Sequence, residues 1–439
     1  MREMKDSGIE WIGKIPTSWE TRKLFGLLQS IGSGTTPKGE DNYNKNGIPW
    51  LNTGDLNDGY ISTTSKCVTE IAMNNYSALQ MHKAGSIVIA MYGATIGKLG
   101  ISEMDLTTNQ ACCVMNPTEF LEKKFLFYTL MAAKDYFLFS SYGAGQPNIS
   151  QNTIKQLKVP YTDIINQKCI CEYLDERCAK IDAIIEKQRE IIEKLKEYKL
   201  SVITEAVTKG LNPDAEMKDS GIDWIGQVNS KYQFAKIGRL CFVTKLAGFE
   251  YTNTMVEKIS DDEEIPIVRA QNVRMFRFEY ETIREFIDVE TSNNLQRCAL
   301  DQRCLLITFI GAGIGDICVF DNPNRYHLAP NVAKIVIHKE HKKDILEEYL
   351  MYYIGSFAGK GEIAKISKAS AQPSLSMETI RGITIVLPKL EEQKAIVYYL
   401  NSKCNKINEI IFSREKIVEK YQEIKKSLIY EVVTGKREV

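Results

Sequence analysis

The sequence predicts an α+β protein: two mixed α/β domains joined by two long antiparallel coiled-coil helices, related by a pseudo-two-fold internal repeat. Three observations predict it. Distinctive segments occur twice in the same order. Each copy opens with short apolar runs punctuated by Gly, Asn and Pro. Each copy then closes with a heptad-patterned stretch of about 40 residues.

The repeat is set by its order. MKDSGIEWIG at 4–13 returns as MKDSGIDWIG at 217–226, an offset of 213. GIPWLNTGDL (47–56) is echoed by EIPIVRAQNV (264–273), and IAMYGATIG (89–97) by ITFIGAGIG (307–315). Asn109 in TTNQA aligns with Asn331 in APNVA, and Gln146–Ser150 with Gln372–Ser376. The offset grows stepwise, as in a duplication whose second copy gained loop insertions. The predicted boundaries are a first domain over 1–165, a first spacer helix over 166–210, a second domain over 211–390 and a second helix over 391–439.

The domain parts read as strands joined by turns, with SIVIAMYG, CLLITFIG and RGITIVLP as strand-like runs and helices near 121–138 and 343–357. The long helices carry two apolar columns each. In the first they are Leu174, Ile181, Leu195 and Val202, beside Ile170, Ile184, Ile191 and Tyr198. In the second they are Leu400, Ile407, Tyr421 and Leu428, beside Ile396, Ile410, Ile417 and Ile424. The seam breaks at matching places: Arg177 with Lys403, Gln188 with Arg414, Glu205 with Glu431. Chain order makes an antiparallel pair the natural arrangement, a dumbbell with Gln188 and Arg414 meeting at its middle.

Composition narrows the function classes. No run of about 18 apolar residues is present, so no membrane partner is expected. The opening MREMKDSGIEWIG lacks an apolar signal stretch, so a cytoplasmic location is expected. The 11 cysteines are scattered without a Cys-x-x-Cys pair and read as free thiols; the four histidines form no ligand set, so no metal is expected. Net charge is zero, from 56 basic and 56 acidic side chains. A protein gripping nucleic acid through its own phosphate contacts carries excess Lys and Arg, so such a role here needs local basic loops or partners. Catalytic motifs fail on inspection. Gly93–Lys98 has three residues between its glycines where a phosphate loop needs four, and Leu99 follows the Lys. Gly311, Gly313 and Gly315 precede a strand-like ICVF rather than a helix. No catalytic residue is assigned.

The loops have the chemistry of base and phosphate recognition. Arg suits guanine, Asn and Gln suit adenine, and Lys, Ser and Thr suit phosphate. In the first domain the candidates are Thr35, Thr36, Lys38, Asn52, Thr53, Tyr142, Gln146 and Asn148. In the second they are Arg269, Gln271, Asn272, Arg274, Arg277, Lys368 and Gln372. The arginines cluster beside Phe276 and Phe278. The candidate spacer positions are Leu174, Ile181, Gln188, Leu195, Leu400, Ile407, Arg414 and Tyr421.

This layout resembles the DNA-specificity subunits of Type I restriction-modification systems. The resemblance rests on Met4–Gly13 with Met217–Gly226, the GSGTTP loop at 32–37, the Gln-Pro loops, and the helix starts QKCICEYLDERCAKIDAII and QKAIVYYLNSKCNKINEII. The second copy departs from it, having Lys245-Leu246-Ala247-Gly248 where the first has its GTTP loop. The resemblance implies a non-catalytic subunit in which each domain reads half of a bipartite target in double-stranded DNA. It implies paired helices that space the halves and dock two modification subunits, with restriction subunits joining them. S-adenosylmethionine, ATP and Mg2+ would act through those partners, and no cofactor is expected on this chain. The alternative is a coiled-coil scaffold joining two protein-binding domains without DNA recognition.

Overall fold

The computed structural model describes residues 2–141, 148–367 and 374–439. The chain forms two compact units, Met1–Arg189 with Glu415–Val439, and Glu190–Arg414. No helix among the described residues is long and apolar enough to cross a membrane.

The first unit is built on a five-stranded sheet in the order Leu28–Ser33, Cys112–Pro117, Ile87–Ala90, Leu99–Ser102, Gly59–Ile61. Ile87–Ala90 is an unbroken apolar run with every residue buried, as a central strand covered on both faces requires. Helix Lys123–Ala132 packs on this sheet and buries Phe125, Leu126 and Leu130. A smaller sheet places Tyr43–Leu51 between Thr107–Thr108 and Lys66–Val68. The second unit repeats the plan. Its main sheet runs Cys241–Lys245, Val332–Ile337, Cys304–Thr308, Ile317–Phe320, covered by helix Glu347–Gly355.

The strand registers correct one pairing of the repeat. Thr108 pairs with Leu51 and Leu328 pairs with Val268. The carbonyls of Ala111 and Asn331 accept the N–H groups of Met91 and Phe309. Asn331 is therefore the counterpart of Ala111, not of Asn109. The shared Asn is a coincidence of two polar turns.

The near-identical openings fold alike. Met4–Asp6 pairs with Lys14–Pro16, and Met217–Asp219 with Gln227–Asn229. Each hairpin places two glycines at positive φ: Gly8 (67°) and Gly13 (68°), then Gly221 (71°) and Gly226 (66°). That is a conformation other residues adopt only at a cost.

The long helices are Ile164–Lys209 and Leu390–Val433. Each is fixed at its start by a fully buried glutamine. Gln167 accepts the Glu122 N–H at 2.8 Å and donates to the carbonyls of Phe120 and Thr162. Gln393 accepts the Leu346 N–H at 3.0 Å and donates to those of Asp344 and Pro388. Three backbone groups per unit that would otherwise be buried unpaired are satisfied this way.

Within each unit the two helices pack antiparallel. In the first, Lys425 holds both oxygens of Asp182 at 2.7 Å, and Leu174, Ile181 and Ile185 share a core with Leu428 and Val432. In the second, Lys199 donates to Asn408 at 2.9 Å, a symmetry-related pair. Leu174, Ile181, Leu400 and Ile407 are buried, while Gln188, Leu195, Arg414 and Tyr421 are half-buried. Ile170 and Ile396, which start the second apolar column, are buried as expected, and beyond them the column lies one residue later than the sequence suggests. Cys178, Ile185 and Ile192 are buried on the first helix, and Cys404 and Ile411 on the second. Tyr198, Ile410 and Ile424 are 50%, 44% and 43% exposed. The supposed breaks at Arg177 and Lys403 disappear, because the small apolar thiols of Cys178 and Cys404 fill the seam next door. All 11 cysteines are free. Burial pushes the Cys171 and Cys241 thiols up to about 12, which leaves them unreactive.

Candidate nucleic-acid interface

In the first unit, loops from distant parts of the chain meet around Gln110. Thr36 Oγ1 donates to Gln110 Oε1 at 2.7 Å, and the Tyr92 hydroxyl donates to the Gln110 carbonyl at 3.1 Å. Asn148 bridges to the Tyr92 backbone. The Thr35 carbonyl accepts the Trp50 indole N–H at 3.0 Å, pinning the loop to the small sheet. The glycine before it is required. A Cβ on Gly34 would lie 1.8 Å from the Thr108 carbonyl oxygen. Thr36, Gln110, Tyr92 and Asn148 are exposed together. Gln110 was not among the sequence candidates. Its signal is a second amide beside Asn109, in a polar turn ahead of an apolar strand.

Lys38 stands apart. Its backbone N–H donates to the Tyr76 hydroxyl, and its side chain is exposed. Asn52 is engaged in its own loop: it caps the turn Thr53–Asp55 through the Gly54 N–H and donates to Asp55 and Ser65. Thr53 is half-buried in that turn.

The second unit differs. Arg274 and Arg277 face each other across a two-residue hairpin turn, so their side chains share a face. Phe276, inside the turn, has φ of 66°, an uncommon value for a bulky residue. It is held there by its N–H bond to the Ile317 carbonyl at 2.8 Å and by its ring against Tyr352 at 5.4 Å. A Cβ on Gly355 would fall 2.2 Å from that ring. Arg277 pairs with Glu279. Arg274 is exposed, and its side chain has no hydrogen bond or ion pair among the described residues. Burial raises the nearby Asp316 carboxyl above its usual range, against the opposing charges of Lys360 and Arg274.

One sequence candidate is corrected here. Asn272 is 1% exposed, with its side chain bonded to the Arg269 N–H, the Glu279 carbonyl and Thr282, so it shapes the loop and does not reach a base. Arg269 is half-buried on Glu285, which takes its guanidinium through two nitrogens. Gln271 is exposed, with its amide on the Thr282 carbonyl. Tyr142, Gln146, Lys368 and Gln372 lie outside the described residues.

Two copies of one sheet-and-helix fold, each presenting a different set of exposed amide, hydroxyl or guanidinium groups, define an internally duplicated protein. The chain belongs to the Type I restriction modification DNA specificity family, whose sequence profile covers residues 16–197 and 229–419. The MjaVIII specificity subunit of Methanocaldococcus jannaschii is 22% identical over 428 residues, 96% of this chain and 94% of that one. The putative MjaX specificity subunit of the same organism is 25% identical over 434 residues, 97% and 95% of the two chains. A chain solved in work on complex assembly and conformational transition of the type I R-M system superposes with a TM-score of 0.66 at 12% identity, over 95% of this chain and 98% of that one. That likeness shows a shared fold.

Proposed function

We propose that each unit reads one half of a bipartite DNA target, and that the chain works without catalytic groups of its own. The observation that carries this reading is the contrast just described: one fold, used twice, with an amide-and-hydroxyl cluster in one copy and an arginine hairpin in the other. A duplicated reader of two different half-sites has this pattern. Two modification subunits dock on the chain, bring S-adenosylmethionine and flip the target adenine. Restriction subunits supply the steps that use ATP and Mg2+. Neutral net charge fits a subunit whose partners share the phosphate grip.

In this reading Arg274 makes a bidentate contact to guanine, and Gln110, with its amide oxygen anchored by Thr36, reads adenine. Thr35, Thr36, Lys38 and Asn148 contact the backbone beside it. The long helices set the gap between half-sites. The test is to map modified adenines in cells carrying the native complex and the Arg274→Ala complex. One base position in one half-site should relax, with the other half unchanged. Equal weakening of both halves would overturn the assignment. Matched heptads inserted after Leu195 and after Tyr421 add roughly 10 Å of helix, so the gap should grow by up to about three base pairs. An unchanged gap with retained activity would assign the spacing to the partners.

A further inference from the structure

A cavity of about 450 Å3 in the second unit opens between strand Gln233–Lys236, the loop at Lys343 and the start of the second long helix. Phe234, Leu240, Leu387 and Pro388 give it an apolar floor. Four cations line it: Lys231, Arg239, Lys343 and Lys389. All four are exposed, and none has a side-chain hydrogen bond or ion pair among the described residues. His341 and Asp344 also line it, and the carboxylates in and beside it already have partners. Asp344 meets the His341 ring at 2.8 Å, Glu391 pairs with Lys394, and Glu392 accepts the Tyr232 hydroxyl.

The internal repeat provides a control. The N–H groups of Trp19 and Tyr232 bond the carbonyls of Pro16 and Asn229, which makes Ser18 the counterpart of Lys231. The carbonyls of Leu27 and Leu240 accept from Thr118 and His338, so Gly26 answers to Arg239. The carbonyls of Phe120 and Asp344 take the same bond from Gln167 and Gln393, so Glu119 answers to Lys343. The N–H groups of those two glutamines bond Asp163 and Lys389, which sets Asp163 against Lys389. Where the second unit has four cations, the first has two neutral residues and two carboxylates. The fold does not require the positive charge. Four cations face one carboxylate here, Asp344, which His341 already engages, so an added anion relieves their mutual repulsion.

We propose that this cavity is a phosphate-binding site present in the second unit alone. It is separate from the reading loops. Leu240, at the start of strand Cys241–Lys245, lines the cavity, whereas Lys245, at the far end, lies over the Phe309 ring beside the Gly311–Gly315 turn. The phosphate is carried either by a free nucleotide, whose base would cover Phe234, or by a nucleic-acid backbone outside the target. The site holds whether or not the units read DNA as proposed above.

The test titrates tripolyphosphate, ATP and a non-target duplex into the full chain by calorimetry. One variant gives the cavity the first unit's own residues: Lys231→Ser, Arg239→Gly, Lys343→Glu and Lys389→Asp. A milder one carries Arg239→Gln and Lys343→Gln. The native chain should bind tripolyphosphate saturably. The fourfold variant should bind at least about tenfold more weakly with an unchanged melting temperature, and the milder one should fall between. ATP affected alongside tripolyphosphate identifies a free nucleotide. The duplex affected, with a salt slope reduced by about 0.9 for each phosphate that is no longer neutralised, identifies a backbone. No binding of any probe, or binding that neither variant weakens, would overturn the site. Loss of target modification with phosphate binding intact would count against the reading loops and leave this site standing.

Discussion

The two units have the same skeleton and opposite surfaces. Around Gln110 the first unit offers neutral amides and hydroxyls braced by one another. In the second unit a tight hairpin, the counterpart of the turn at Asp58, presents Arg274, whose side chain is unpaired among the described residues, beside a half-buried Asp316. In the proposed reading, this difference puts specificity in the exposed turns. Opening hairpins and buried glutamines are shared by the two units, while the exposed side chains of the turns differ.

The largest expected effect strikes what the units share. Gln167→Leu and Gln393→Leu each strand one backbone N–H and two carbonyls, at a cost of about 3 kcal/mol or more. Denaturant unfolding should show comparable losses from the two substitutions. A large loss from one and none from the other would break the equivalence.

Arg274→Ala should cost about 1–3 kcal/mol at one base position, read as altered site preference in one half only. Gln110→Ala should do the same in the other half. Thr36→Val, which frees the Gln110 amide to rotate, should give a smaller effect of the same kind.

A pH difference comes next. His327, fully buried in the second unit, has its pKa lowered by burial, and its place in the first unit is taken by Thr107. A group whose folded pKa is depressed leaves stability intact above the unfolded value of about 6.5 and loses it as pH falls below that. The loss is at most about 1.4 kcal/mol per pH unit. His82, half-buried in the first unit, is shifted in the same direction by burial. His327→Thr should flatten the acid slope in melting measurements, and an unchanged slope would acquit this histidine. The smallest effect is expected at the helix pairs. Lys425→Ala, which breaks an ion pair with the half-exposed Asp182, should cost about 0.5 kcal/mol, as should Lys199→Ala with Asn408.

Much of this was legible in the sequence. The repeat, the strand-like runs and the long helices follow from spacing alone, since period and order survive divergence. Past Ile170 and Ile396, the second column of the helix seam lies one residue later than its isoleucines suggest. Isoleucine draws attention as a core residue, whereas Cys178 and Cys404, buried at the true positions, do not. At the candidate interface, residue type pointed to Thr36 and Arg274. It did not distinguish Arg274 from Asn272, two residues away. Whether a polar side chain faces solvent or folds back on its own loop depends on contacts with Glu279 and Thr282, and no local pattern records those. Gln110 was missed for the converse reason: its partners Thr36 and Tyr92 come from loops far apart in the chain.

In the proposed function each unit reads its own half-site. Replacing residues 237–387 with a second copy of 24–161, joined at the matching strand positions, tests it most directly. Modified adenines mapped across host DNA should then define a target with the same half-site at both ends in inverted orientation, the second unit's half having vanished. Retention of the original asymmetric target by that chimaera would contradict the account.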